Sequence, residues 1–266
     1  MGAIRVAVIG AAGRMGRQTV QAVASEKDME LVGAVDVASV GEDVGILAGR
    51  GPMGVIVAQD IRAMLRASKP DVAVDFSLAD GAGRRVKELL ASKCRSVIGT
   101  TGISKEDLDA MKRAAQARHL GVLVAPNFAI GAVLMIKFAA EAARYMPDVE
   151  IIELHHDQKK DAPSGTALYT AERILEAKKG TRPRKDPTVT TKIPGVRGGA
   201  MGDVAIHSVR LSGFLASQEV VFGGRGQSLS IPHDTSSRDS FMPGVILAVR
   251  RIMELEGFVF GLDKIL

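Results

Sequence analysis

The densest chemistry in the chain lies between Glu153 and Thr166, E-L-H-H-D-Q-K-K-D-A-P-S-G-T. Two of the five histidines, two lysines and three acids fall in this one segment. Histidine titrates near neutral pH and can relay protons, so His155 and His156 are candidates for acid–base work. Lys159 and Lys160 supply positive charge for carboxylates and a mobile proton donor. Ser164, Gly165 and Thr166 precede an apolar-periodic run. A helix starting there presents hydroxyls and unbonded N–H groups to an anion. Zinc chemistry fits poorly. Adjacent His155 and His156 would project from opposite sides of a strand, and no H-x-E or C-x-x-C partner accompanies them. A solvated polar loop is the bland alternative, and the density of the cluster and the anion-binding helix start weigh against it.

A second set of residues suits a dinucleotide. Gly10-Ala11-Ala12-Gly13-Arg14-Met15-Gly16 follows the apolar run Ile4–Ile9 and opens a helix. Backbone N–H groups at such a helix start must approach a pyrophosphate closely, which leaves little room for side chains. The spacing is G-x-x-G-x-x-G rather than G-x-G-x-x-G, and its place between strand and helix makes it specific. Asp36 ends the next strand, where a carboxylate accepts hydrogen bonds from ribose hydroxyls and repels a 2′-phosphate. Val37 offers no counter-charge, whereas Arg14 could pair with a 2′-phosphate. The expectation is NADH with some use of NADPH. Gly99, Thr100 and Thr101, then Ala125, Pro126, Asn127 and Phe128, follow two later strands. In doubly wound sheets ligands bind outside the carboxyl ends of strands, so both segments are expected to face the nicotinamide half.

Something must hold these segments in place. Strands are predicted over 4–9, 31–35, 72–76, 96–98 and 122–125, alternating with helices over 17–24, 61–67, 82–91 and 108–117. That alternation predicts an α/β doubly wound parallel sheet over residues 1–127. The rest reads as an α+β unit over 128–240: a long apolar helix at 130–145, a strand at 149–154, a helix at 166–177, and strands at 204–211, 218–222 and 229–231 in one open mixed sheet. Residues 178–199 read as a long exposed loop, and a terminal helix from 241 onward is expected to complete the first domain. Phe128–Gly131 and Ser237–Gly244 are the crossings, where a hinge could close over a ligand. Arg238 reads as a structural charge or as a contact near the second crossing.

Composition narrows the function classes. The 266 residues are 46% hydrophobic and 24% charged, as in ordinary globular proteins. The first apolar run ends at Gly10, too early for a secretory signal, and no stretch approaches the roughly 18 apolar residues of a membrane span. The net charge is +5, but there is no Trp, only two Tyr, and the cations are scattered. That argues against nucleic acid, for which no motif appears. Cys94 is the sole cysteine, so no internal disulfide forms and a reducing cytoplasm is expected. Lys93 and Arg95 flank it and could activate the thiol, although an inert residue at a helix–strand junction is the simpler reading.

Taken together, G-A-A-G-R-M-G, G-T-T-G, A-P-N-F and above all E-L-H-H-x-x-K-x-D-A-P-S-G-T resemble the 4-hydroxy-tetrahydrodipicolinate reductase (dihydrodipicolinate reductase) family in order and spacing over essentially the whole chain. The resemblance implies an N-terminal Rossmann domain, a substrate domain with an open mixed sheet, and a homotetramer built through those sheets. It implies NAD(P)H-dependent reduction of a small cyclic imine dicarboxylate, without metal. His155 matches the proton donor/acceptor position and Lys159 the proton-donor position. His156, Gly165 and Thr166 match the substrate-carboxylate positions, with Lys160 expected to help orient the substrate. Gly10 through Met15, Asp36, Gly99 through Thr101 and Ala125 through Phe128 match the cofactor contacts. Many relatives carry Glu-Arg where this chain has Asp36-Val37, and some carry a further His or Arg where it has Asp157-Gln158. Two other readings compete. A dehydrogenase of the glucose–fructose oxidoreductase type would show Glu-Lys-Pro where Ala125-Pro126-Asn127 stands. A non-catalytic nucleotide sensor would have no need of His155, Lys159 and Ser164–Thr166 together.

Overall fold

A computed structural model describes residues 2–179 and 190–266, which divide into two compact units. Unit 1 comprises residues 1–128 and 241–266, and unit 2 residues 129–240.

In unit 1 the chain runs β1 (Ile4–Ile9), α1 (Arg14–Ser25), β2 (Met29–Val35), α2 (Val44–Leu47), β3 (Val57–Ala58), α3 (Ile61–Ser68), β4 (Val72–Asp75), α4 (Ala82–Ala91), β5 (Arg95–Ile98), α5 (Lys105–Arg118) and β6 (Val122–Val124). Short β-branched runs such as Val72-Ala73-Val74 are buried throughout, as strands covered on both faces must be. The helices bury one stripe each; Val86, Leu89 and Leu90 are the inward side of α4. The later segment adds α8 (Met242–Ile252) and β12 (Phe258–Phe260). The strands form one parallel sheet in the order β12-β6-β5-β4-β1-β2-β3. The order reverses between β1 and β4, the switch point beside which doubly wound sheets bind ligands.

Unit 2 contains α6 (Ile130–Ala142), β7 (Asp148–His155), α7 (Gly165–Ala177), β8 (Gly199–Met201), β9 (Val204–Arg210), β10 (Ala216–Gly224) and β11 (Gln227–Thr235). Its sheet has the order β11-β10-β7-β9-β8, with β7 and β9 parallel and the other pairs antiparallel. Met135, Ile136 and Ala139 of α6 and Ala171 and Ile174 of α7 pack with Val149, Ile151, Val204, Ile206, Val220 and Phe222. Both helices therefore lie on one face. Ile152, Leu154, Val209 and Val221, with opposite pleat parity, are only partly covered.

Several expectations need correction. The first helix starts at Arg14 rather than residue 17, which brings Arg14 and Met15 into its first turn. The terminal segment is not helical throughout. After α8, Phe258–Phe260 pairs with β6 and extends the sheet; three residues are too few for a period to tell this strand from a continuing helix. The short elements α2, β3 and β8 escaped notice for the same reason. The exposed loop expected over 178–199 begins after α7 as expected but differs at its edges. Lys178 is buried and bonds Asp203 at 2.8 Å, and Gly199 already begins β8. Residues 180–189 of that expected loop lie outside the described residues.

Candidate active site and cofactor cradle

In unit 1 the cradle forms where β1 meets α1. Gly10 has φ +77°, and a Cβ there would sit 2.9 Å from the backbone of Phe76 and Ser77, which follow β4. A Cβ on Gly16 would lie 2.0 Å from the Gly10 carbonyl oxygen, so α1 can pack onto its own loop only with glycine there. Gly13 is the N-cap and has no side chain to bond the first turn. The N–H groups of that turn therefore have no side-chain acceptor at the cap, the arrangement that binds phosphate. Ala11 is fully buried and Ala12 partly so. Asp36 reaches this loop: its Oδ2 accepts from the Ala12 N–H at 2.9 Å and its Oδ1 from Ala38 N–H at 3.0 Å. Val37 beside it is 86% exposed, and Arg14 is exposed.

The other two cofactor segments stand at the carboxyl ends of β5 and β6. A Cβ on Gly99 would meet Cε1 of Phe76 at 2.0 Å, so this glycine makes room for an aromatic ring. Phe76 in turn packs edge-on against Phe128, with ring centroids 5.7 Å apart. Thr100 is buried, and its hydroxyl donates to the Ser77 carbonyl at 3.0 Å. Thr101 is exposed and so is the hydroxyl available from this pair. Ala125 is buried and its N–H donates to the Ile98 carbonyl, while Pro126 and Asn127 are half-buried. Behind the segment, fully buried Asp75 accepts from Arg85 Nε at 2.8 Å and from Ser77 N–H at 2.8 Å. Arg85 also donates to the Leu78 and Asp80 carbonyls. The sequence reading assigned no role to Phe76, Asp75 or Arg85. Nothing local marks them, since their partners are set by which strands become neighbours.

In unit 2 the catalytic segment begins at the end of β7. The polar row there is set by register: Ser208, Glu153, Gln218 and His233 lie side by side on β9, β7, β10 and β11. One step on, Arg210 is beside His155. Glu153 is fully buried. Its Oε2 accepts from His155 Nδ1 at 2.5 Å and from Arg210 at 3.0 Å; its Oε1 accepts from Arg210 at 2.8 Å and from the Ser164 N–H at 3.3 Å. Burial alone would raise this carboxyl. The hydrogen bonds from His155, Arg210 and Ser208 outweigh it and hold Glu153 down at about 2. Arg210 also donates to the Asp161 carbonyl at 2.7 Å, and the Asp161 carboxylate receives Lys159 Nζ at 2.7 Å. That ion pair lowers the Asp161 carboxyl. A continuous bonded path thus runs from His155 through Glu153, Arg210 and Asp161 to Lys159.

The segment closes at α7. Ser164 is the N-cap, its hydroxyl accepting from Ala167 N–H at 3.1 Å. Its hydroxyl is therefore committed to the helix. Gly165 is exposed and a Cβ there would meet nothing within 4 Å, so packing does not require the glycine; close approach by a ligand would. Thr166 is half-buried, Lys160 exposed and His156 half-buried just beyond β7. Of the residues that sequence reasoning left without a role, Glu153 had a signal. It lies two positions before His155 on a strand, hence on the same face. Arg210 had none. Among the described residues, no group of three or more His, Cys, Asp or Glu could hold a metal ion. Cys94 is buried, and burial pushes its thiol up, away from reactivity.

Residues 4–128 match the family described as dihydrodipicolinate reductase, N-terminus, and residues 131–266 the one described as dihydrodipicolinate reductase, C-terminus. The chain is 49% identical over 263 residues to a 4-hydroxy-tetrahydrodipicolinate reductase of Moorella thermoacetica, covering 99% of this chain and 98% of that one. It is 46% identical over 262 residues to that of Syntrophomonas wolfei, covering 98% of each. Its fold is similar to that of a dipicolinate-bound dihydrodipicolinate reductase from Paenisporosarcina sp. TG-14, with a TM-score of 0.86 and 42% identity over 99% of this chain and 100% of that one.

Proposed function

This chain belongs to the dihydrodipicolinate reductase family, and from that premise we propose how its own residues carry out the NAD(P)H-dependent reduction of 4-hydroxy-tetrahydrodipicolinate in lysine and diaminopimelate biosynthesis. The observation that carries the assignment of roles is the bonded path from His155 to Lys159 leading into the start of α7.

The cradle at β1–α1 fits a pyridine dinucleotide: it is closed to side chains at Gly10 and Gly16, and its helix start lacks a side-chain cap. Gly10 through Met15 would hold the pyrophosphate, Asp36 the ribose, and Thr101 with the Ala125–Phe128 segment the nicotinamide half. When bound, the cofactor supplies hydride to the ring carbon conjugated with the substrate imine. The rest falls to the chain. Negative charge develops toward the ring nitrogen, and cationic Lys159, with His155, stabilises it and delivers the proton. Lys159 is held by Asp161, so it is positioned before substrate arrives. His156, Lys160, Gly165 and Thr166 hold the two carboxylates at the start of α7, which fixes the ring for close approach of the hydride donor.

Two finer points belong to the same reading. Asp36 with neutral, exposed Val37 favours NADH, with NADPH also accepted. The partly covered face of the unit 2 sheet supports a homotetramer, and a single buried cysteine accords with a reducing cytoplasm. Initial rates of NADH and NADPH oxidation with freshly generated 4-hydroxy-tetrahydrodipicolinate test the assignment. Turnover should be inhibited by pyridine-2,6-dicarboxylate and be at least as fast with NADH. Lys159→Ala should lower kcat by roughly 10²–10⁴-fold with a smaller rise in KM. Near-normal kcat in that variant would rule out its proton-donor role.

A further inference from the structure

Glu153 and Arg210 do more than fill the edge of the unit 2 sheet. Building on the role given to His155 above, we propose that they form a positioning pair that sets the tautomer and orientation of the His155 ring. An ionised carboxylate can only accept hydrogen bonds. The Glu153 oxygen 2.5 Å from His155 Nδ1 therefore requires the proton on Nδ1 and leaves Nε2 as the position that exchanges a proton with substrate. Protonation at Nε2 makes an imidazolium that keeps its Nδ1–H bonded to the Glu153 carboxylate.

Arg210 has a separate job. Without it, the Nδ1 proton of the imidazolium could pass to the buried carboxylate, giving a neutral acid–imidazole pair whose remaining ring proton, on Nε2, is donated poorly. The guanidinium occupies both oxygens, at 2.8 and 3.0 Å, and the Ser164 N–H adds a further donor to Oε1. With Glu153 held at about 2, the proton stays on the ring. Arg210 also bonds the Asp161 carbonyl, so the same side chain that fixes the His155 partner fixes the turn carrying Lys159. A lysine at 210 would keep the charge but lose the planar fork that reaches both places.

Selective ¹⁵N labelling of histidine, with His155 assigned by the signal lost in His155→Gln, reads the tautomer in the wild-type protein. The Nδ1–H form is expected, and the Nε2–H form in the neutral ring overturns the proposal. Kinetics then test the function. Glu153→Gln should lower kcat by roughly 10²-fold and Arg210→Lys by roughly tenfold, each with KM changed less than about threefold. In a His155→Gln background Glu153→Gln should cost no more than about a further twofold, because it acts through the ring, whereas Arg210→Lys keeps the part of its loss that runs through the Lys159 turn. Unchanged kcat in a folded Glu153→Gln, or a loss in Glu153→Gln that simply multiplies with that of His155→Gln, would refute the positioning role. Should Glu153→Gln not fold, Arg210→Lys and the wild-type tautomer decide. Wild-type kcat in His155→Gln alone would instead refute the proton-relay reading of His155, while the tautomer measurement would still judge the hold of Glu153 on the ring.

Discussion

Among single residues, Glu153 carries the clearest thermodynamic signature. Its carboxyl is depressed from 4.5 to about 2 in the folded chain. A depressed carboxyl contributes stability above its unfolded value and loses it as pH falls through the folded one. The contribution is thus complete above about pH 4.5 and disappears toward about pH 2. The urea midpoint of the wild type should fall across that window, and Glu153→Gln should start lower but fall less steeply. Equal slopes would mean that other carboxylates dominate acid unfolding. Removing the carboxylate charge leaves the Arg210 guanidinium without its partner, and breaking a fully buried pair in this way costs up to about 3–5 kcal/mol. Cys94 shows the opposite lesson at this scale. Its cationic sequence neighbours suggest an activated thiol, but burial, with the Asp71 charge, outweighs the pull of Arg95 and pushes the group up.

At the scale of elements, the junction of β1 with α1 and the start of α7 are two helix starts with different caps. Gly13 leaves the first turn of α1 without a side-chain acceptor, while Ser164 caps α7 and leaves exposed Gly165 beside it. The first suits a pyrophosphate and the second a carboxylate. The α1 start depends on Gly16, where a Cβ would lie 2.0 Å from the Gly10 carbonyl oxygen. Gly16→Ala must push α1 away from its loop. It should weaken dinucleotide binding by at least about tenfold, or roughly 1.4 kcal/mol, in a fluorescence titration with NADH. Binding of pyridine-2,6-dicarboxylate, assigned to unit 2, should change far less. Wild-type NADH affinity in Gly16→Ala would place the dinucleotide elsewhere.

For the whole molecule, the decisive feature is how parallel strands are brought together. The unit 2 sheet carries both helices on one face and leaves Ile152, Leu154, Val209 and Val221 partly covered on the other. Association through that face should give a species of four chains in light scattering behind size exclusion. Replacing Val221 and Leu154 with Asp should shift it to smaller species, whereas a tetramer indifferent to both changes would use another surface. The helix–strand alternation of unit 1 was readable because its helices carry a period and its buried strands are apolar runs between them, which is how the short strands β4, β5 and β6 were found; the phosphate loop and the segment from His155 to Thr166 were readable because their residues are contiguous. The short elements α2, β3, β8 and β12 have neither signal and were missed.

Patterned helices, apolar runs between them, the glycines that a helix start needs and the one segment whose chemistry is contiguous are legible along the chain. That Arg210, 57 residues from Glu153, closes around its carboxylate, and that Phe76 fills the space Gly99 leaves open, emerges only in the folded protein. The physical reason is the same in both cases. Periodicity and capping express forces between residues a few positions apart. Which strand lies beside which, and in what register, is settled by packing whole elements together, and no short stretch of sequence contains that information.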